Sequence, residues 1–154
     1  MDNSSELMAE RIESLKTGAL AAFSFTLAYS LTLAGNSLVL AEQFKTLTAL
    51  QITTDLDLVV RVAVAWLSGF LFGVTYRYVI REDKNPHLKE GAVLAFGLVR
   101  GLASVEGQPN WTDAFGLLGV LTMESVICFA IARFTLDWAL QRHWIKPFKS
   151  TPVF

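Results

Sequence analysis

The chain has 154 residues, 53% of them hydrophobic and 18% charged, and a net charge of −1. The near-neutral balance excludes the basic footprint of a nucleic-acid-binding protein, and the length suits one domain. One cysteine, Cys128, excludes an intramolecular disulfide; it lies in an apolar run, where a thiol behaves as a small hydrophobe.

At the N-terminus, Asp2, Glu6, Glu10 and Glu13 stand against Arg11 and Lys16. A cleaved secretory leader starts basic and carries a short apolar stretch, so this acidic start reads as a segment ahead of an uncleaved first helix. Asn3 and Glu6 have capping-box spacing. Met8, Ile12 and Leu15 fall on one helical face, which predicts an amphipathic helix within residues 1–16, lying on the membrane surface. A frayed, solvated tail is the alternative.

Thr17 to Ala41 is a run of 25 residues without a charge. About 20 apolar residues cross a hydrocarbon core of about 30 Å, so the first membrane span is placed at 17–41. Thr26, Ser30 and Thr32 can bond back to helix carbonyls and do not interrupt it. After a mixed polar connection over 42–57, a second span is predicted at about 58–78. Its charge-free centre, Val62 to Tyr76, is short, and Arg61 and Arg77 are expected to snorkel to opposite interfaces. Tyr76 and Tyr78 suit an interfacial aromatic belt.

Residues 79–90 form a charged connection in which Arg81, Lys84, His87 and Lys89 make a candidate cytoplasmic interaction loop. Within it Asn85-Pro86 signals a helix start. A third span is predicted at about 88–105, then turn chemistry over Glu106–Asn110. Asn110 with Asp113 can cap a fourth span at about 114–136, which continues as an interfacial helix through Trp138 and Trp144 until Pro147 stops it. Residues 146–154 are a cytoplasmic tail, and 17–145 the transmembrane domain. No repeat or low-complexity segment is present.

Lysine and arginine gather on the cytoplasmic side of short loops. With four spans, ten basic residues (Arg11, Lys16, Arg77, Arg81, Lys84, Lys89, Arg133, Arg142, Lys146 and Lys149) share the side of both termini, against two, Lys45 and Arg61, on the other. The predicted fold class is therefore all-α: an integral membrane bundle of four transmembrane helices with both termini cytoplasmic. Were the third span only a surface segment, the basic C-terminus would fall on the wrong side. A soluble helical core is opposed by the 25 uncharged residues.

Two residues within the spans are charged in a way that demands a partner. A charge near the bilayer centre costs about 2.5–3.5 kcal/mol on insertion scales. By rise per residue, Arg100 lies ~9 Å and Glu124 ~16 Å from the outer boundary, an offset an arginine stem can bridge. An interhelical Arg100–Glu124 pair is predicted. It fixes packing, forms a proton or substrate site, or faces a partner protein. Arg61, with Asp57 and Asp55 nearby, is expected either in an outer polar cluster with Glu106 or Asp113 or simply at the headgroups. Ala65, Gly69 and Gly73, and likewise Gly97 and Gly101, are spaced by four, so helix backbones can approach closely there, within the chain or against another protein. His87 and His143 lack ligand spacing for a metal or haem, and no nucleotide or triad motif occurs; the sequence names no cofactor.

The stretch TYRYVIREDKNPHLKEGAVLAFGLVRGLA, Thr75–Ala103, resembles small polytopic membrane proteins of the cyanobacterial and plastid lineage. The resemblance implies a photosynthetic membrane setting, since some such proteins look like accessory or assembly factors; it carries over no functional residue. The expected function is non-enzymatic: an integral membrane protein in contact with lipid that binds other membrane proteins, or itself, as an accessory subunit or assembly factor. The alternative is a small homo-oligomeric transporter or channel using Arg100 and Glu124. An intramembrane enzyme of the four-helix glutathione-transferase-like type fits by size, but that family's arginine and asparagine pattern is not placed on the second helix.

Overall fold

The computed structural model describes residues 3–36, 54–80, 85–104 and 111–148. They form four helices: α1 (Asn3–Gly35), α2 (Asp55–Ile80), α3 (Pro86–Ala103) and α4 (Trp111–Gln141). Three of these, α1, α2 and α4, contain segments long and apolar enough to cross a membrane, which marks the chain as an integral membrane protein. The third, α3, is not among them. It has 18 residues, a rise of ~27 Å, and carries Lys89, Glu90 and Arg100.

The four helices form an up-and-down bundle in which α1 lies along α2 and α4, and α3 along α4 and α2. Glycines set the closest approaches. A Cβ on Gly73 would meet Ala21 Cβ at 2.5 Å and Thr17 O at 2.7 Å, and one on Gly69 would meet Phe25 Cβ at 2.7 Å and Ala22 Cα at 2.9 Å. On the other side, a Cβ on Gly97 would meet Val126 Cγ2 at 2.5 Å, and one on Gly101 would meet Thr122 Cα at 2.6 Å. As sequence number rises on one helix of each pair it falls on the other, so both pairs run antiparallel. The two glycine ridges, for which internal packing and external docking were both open, are used up inside the chain. Buried Ala65 continues the first of them.

One phenylalanine from each helix closes the middle of the bundle. Phe129 packs on Phe25 at 4.4 Å, on Phe72 at 5.0 Å and on Phe96 at 5.6 Å between ring centroids, and Phe72 meets Phe96 edge-on at 5.4 Å. Tilted and edge-to-face contacts at such distances are the favoured aromatic geometry.

Two boundaries differ from the sequence expectation. First, 3–16 is no separate surface helix but the start of α1, with no break at residue 17. Neither proline nor an exposed glycine interrupts it, because Gly18 is covered by Phe70 and Val74 of α2. The polar side of this extension docks inward. Its apolar face is turned away from the bundle, with Met8 61%, Ile12 51% and Leu15 57% exposed. Second, α4 ends at Gln141 rather than running on to Pro147. His143 takes a left-handed conformation (φ 58°). The His143 N–H donates to Leu140 O at 3.1 Å and the Trp144 N–H to Ala139 O at 3.0 Å. This is a Schellman close, with histidine where glycine is common. Trp144 packs edge-on against Trp138 at 5.0 Å, the apolar contact that accompanies the motif. The reversal turns residues 144–148 back over the bundle. The remaining helix ends agree with the predicted spans within a few residues, except that 37–41 and Val105 lie outside the described residues.

Candidate functional site

The buried charges form polar groups at the two ends of the bundle, with the phenylalanines between them. At the end opposite the basic loops, α4 carries Glu124, 8% exposed. One carboxylate oxygen accepts from Thr32 Oγ1 at 2.6 Å and the other from Asn36 Nδ2 at 2.7 Å, both on the α1 side. The Thr32 hydroxyl also lies 2.8 Å from Tyr29 O, and its single hydrogen serves one acceptor at a time. Glu124 is thus held by neutral donors.

Arg100 lies elsewhere. Its Nη1 donates to Ser68 Oγ of α2 at 2.9 Å, and its guanidinium rests over the rings of Tyr29 and Phe25, 4.9 and 5.3 Å from their centroids. Ser68 Oγ in turn donates to Val64 O at 2.7 Å. The predicted Arg100–Glu124 ion pair is therefore not formed. Gly101 faces Thr122, so the two charges stand at similar heights, but Arg100 bonds Ser68 of α2 and covers the Tyr29 and Phe25 rings, whereas Glu124 bonds Thr32 and Asn36 farther along the α1 side. Rise per residue places height and is silent on azimuth, which is why the pair looked plausible. With separate partners, Arg100→Ala and Glu124→Ala are expected to lower stability additively, to within ~0.5 kcal/mol. A larger coupling in detergent melts of the double variant would restore the direct pair.

Arg61 donates through Nε to both oxygens of Asp57, at 2.9 and 3.0 Å, an i,i+4 pair on one helix face. Glu106, the other proposed member of this cluster, lies outside the described residues.

The opposite end holds the group that sequence reasoning missed. Arg77, expected to snorkel, is 2% exposed. Its Nε donates to Lys146 O at 3.0 Å, and Nη1 to Glu10 O at 3.0 Å and Ser14 Oγ at 2.6 Å; Nη2 pairs with the Glu10 carboxylate. One guanidinium thus ties α2 to the start of α1 and to the reversed tail, and the Phe148 ring lies 5.7 Å away. The signal was the acidic residue Glu10 within residues 1–16, which nothing local neutralised. Beside it, Lys16 holds the Glu13 carboxyl below its usual value through a 2.9 Å hydrogen bond, against the opposing effect of partial burial. The Lys146 amide N–H, 3.2 Å away, acts in the same direction as Lys16.

Lys89, assigned by sequence to an interaction loop, lies instead on the first turns of α3 and donates to Asp137 Oδ1 of α4 at 2.9 Å. Tyr76 Oη donates to the same oxygen at 2.9 Å, and Arg133 Nε stands 3.7 Å from Oδ2. Asn85 caps α3, its side chain accepting from the His87 N–H at 3.1 Å. His87 itself is exposed, 3.8 Å from Glu90. Arg81 and Lys84 lie outside the described residues. Among the described residues no three His, Cys, Asp or Glu side chains converge as metal ligands.

A search for similar proteins finds no matching family model, curated protein or solved structure.

What this arrangement can do follows from where its surface is open. An open notch of about 580 Å³ is lined by Thr32, Gly35, Asn36, Gly119, Met123 and Glu124. Among the described residues, Cβ atoms built on Gly35, Gly116 or Gly119 would meet nothing within 4 Å, the reverse of the four ridge glycines.

Proposed function

We propose that this protein spans the membrane four times with both termini cytoplasmic. In this reading it acts without catalysis, binding other membrane proteins as an accessory subunit or assembly factor. The supporting observation is the Glu124 notch: bare glycine backbone beside a polar Thr32–Glu124–Asn36 cluster. Helices associate in lipid through small residues that allow close approach and polar side chains that bond across the contact. The ridge glycines inside the bundle illustrate the same principle, and the notch offers it to an outside helix.

Four spans rather than three are supported by the packing of α3. Its length is close to the hydrocarbon thickness of about 30 Å. Its Lys89 is neutralised by Asp137, and its glycines seat it along α4. The ten-to-two division of basic residues supports the orientation. Cysteines introduced at Ser5 and Thr151 should then react with a membrane-impermeant maleimide from one face, and one at Lys45 from the other. Labelling of Ser5→Cys and Thr151→Cys from opposite faces excludes the layout. The likeness of Thr75–Ala103 to proteins of the cyanobacterial and plastid lineage makes a photosynthetic membrane the first location to assay.

The deciding experiment is purification of the tagged protein from its native membrane in mild detergent, beside Gly119→Leu. The expected result is a large assembly containing other membrane proteins, lost in Gly119→Leu while the melting temperature of the isolated chain is unchanged. A clean homo-oligomer would instead favour a transporter. Its path would have to run between subunits, because the four phenylalanines fill the middle of one chain.

A further inference from the structure

The bundle has a second open face, between α2 and α3, which share far less contact than α1 with α2 or α3 with α4. A groove of about 530 Å³ opens there, walled by Val64, Leu71, Phe96 and Val99, with Ser68, Arg100 and Ser104 as its polar members. Its volume falls in the range of small-molecule sites, about 300–1,000 Å³. Its surface is almost wholly apolar, with the guanidinium placed toward one end. Arg100 is three residues from the last residue of α3, ~5 Å along the axis, so from inside the apolar layer its long side chain can reach the headgroup level. Phe96 belongs to the aromatic midsection.

The charge of Arg100 is not neutralised within the described residues. Arg61, Arg77 and Arg133 each have a carboxylate, from Asp57, Glu10 and Asp137. Arg100 has a serine hydroxyl and two aromatic faces. Of its five N–H donors one is used there. The rings hold the guanidinium in place by cation–π attraction and supply no counter-charge themselves. A cation at this depth normally finds an anion, and the bilayer supplies one attached to an apolar chain.

We propose that the α2–α3 groove is a binding site for an anionic phospholipid of the surrounding bilayer. The lipid phosphate bonds to the Arg100 guanidinium beside Ser68, and one acyl chain runs inward past Val99 and Leu71 toward Phe96. Arginine suits a phosphate because its planar fork can donate two parallel hydrogen bonds. The thin contact between α2 and α3 is then completed by lipid rather than by side chains.

The test uses the full chain purified in mild detergent, stripped of lipid, and titrated with dioleoyl phosphatidylglycerol or dioleoyl phosphatidylcholine. Thermal midpoints and native mass spectra are the readouts. Phosphatidylglycerol is expected to raise the midpoint and appear as a retained phospholipid adduct, with a smaller rise and no retained adduct for phosphatidylcholine. Arg100→Gln is expected to remove the difference between the two lipids. Val99→Trp keeps the charge and fills the groove from a position 68% exposed, so it should remove the adduct even if Arg100→Gln fails to fold. Equal responses to the two lipids, or a preference that survives Val99→Trp, overturn the proposal. Retained free fatty acid in place of phospholipid, or a dimer that excludes lipid, also overturns it.

Discussion

Arg77→Ala is expected to be the most damaging single substitution of a charged residue, lowering stability by roughly 3 kcal/mol. Removing one partner of a buried ion pair costs about 3–5 kcal/mol. The lower end applies because the Glu10 side chain left behind is 31% exposed while that of Arg77 is 1% exposed, so water can reach the orphaned carboxylate. The loss is not only electrostatic. Glu10 O, Ser14 Oγ and Lys146 O each lose the bond that Arg77 donates, and the reversed tail loses its tie to α2. Arg77→Lys separates the two effects. A lysine keeps the charge but lacks the fork that reaches α1 and the tail at once, so it should recover part of the loss and leave the tail open to protease. Melting in detergent and limited proteolysis of the C-terminus are the measurements. A melt of Arg77→Ala within error of wild type would mean that the tie is absent in solution.

Gly73→Leu is expected to disrupt the bundle outright. Even the first added carbon would sit 2.5 Å from Ala21 Cβ, 2.7 Å from Thr17 O and 3.0 Å from Gly18 Cα. Two of these are backbone atoms, which no rotamer change can move. Overpacking usually costs 1–3 kcal/mol, and a side chain of leucine size forces α1 and α2 apart along their whole contact. Gly116→Leu is the matched control: its Cβ meets nothing among the described residues, so the isolated protein should melt normally. Thermal midpoints and detergent size-exclusion profiles distinguish the two. Equal behaviour of the two variants would falsify the α1–α2 packing described above.

The spacing of Gly69 with Gly73 and of Gly97 with Gly101 was visible in the sequence, and so was the need of Arg100 and Glu124 for partners. Neither pattern could name those partners. The repeat of four residues says that a helix carries a smooth strip, while the identity of the strip's neighbour depends on the rotation of a second helix about its own axis. The same limit applies to the charges. Height along a span can be counted from residue number, so Arg100 and Glu124 could be placed at neighbouring depths. Their facing could not, and α3 turns Arg100 to Ser68 and the Tyr29 and Phe25 rings, whereas α4 turns Glu124 to Thr32 and Asn36.

Arg77 shows the cost of reading charges locally. At the end of an apolar helix, snorkelling is the economical expectation for an arginine. It fails here because residues 3–16 extend α1 and carry Glu10 and Ser14 to the place where Arg77 would otherwise meet water. Lys89 moved from a supposed recognition loop to a structural pair with Asp137 for a similar reason: Asn85 and Pro86 start α3 early enough to put Lys89 on a helix that faces α4.

By itself the sequence determined that this chain is helical and built for lipid, because uncharged length and apolar composition are properties of a segment alone. It also determined where α3 begins, since a cap and a proline act within a few residues. The tertiary structure decided which helices touch, which glycines are buried inside and which remain on the surface, and which partners satisfy Glu124, Arg100 and Arg77. Those depend on the rotation and register of helices far apart in the chain, and a local pattern contains no information about either.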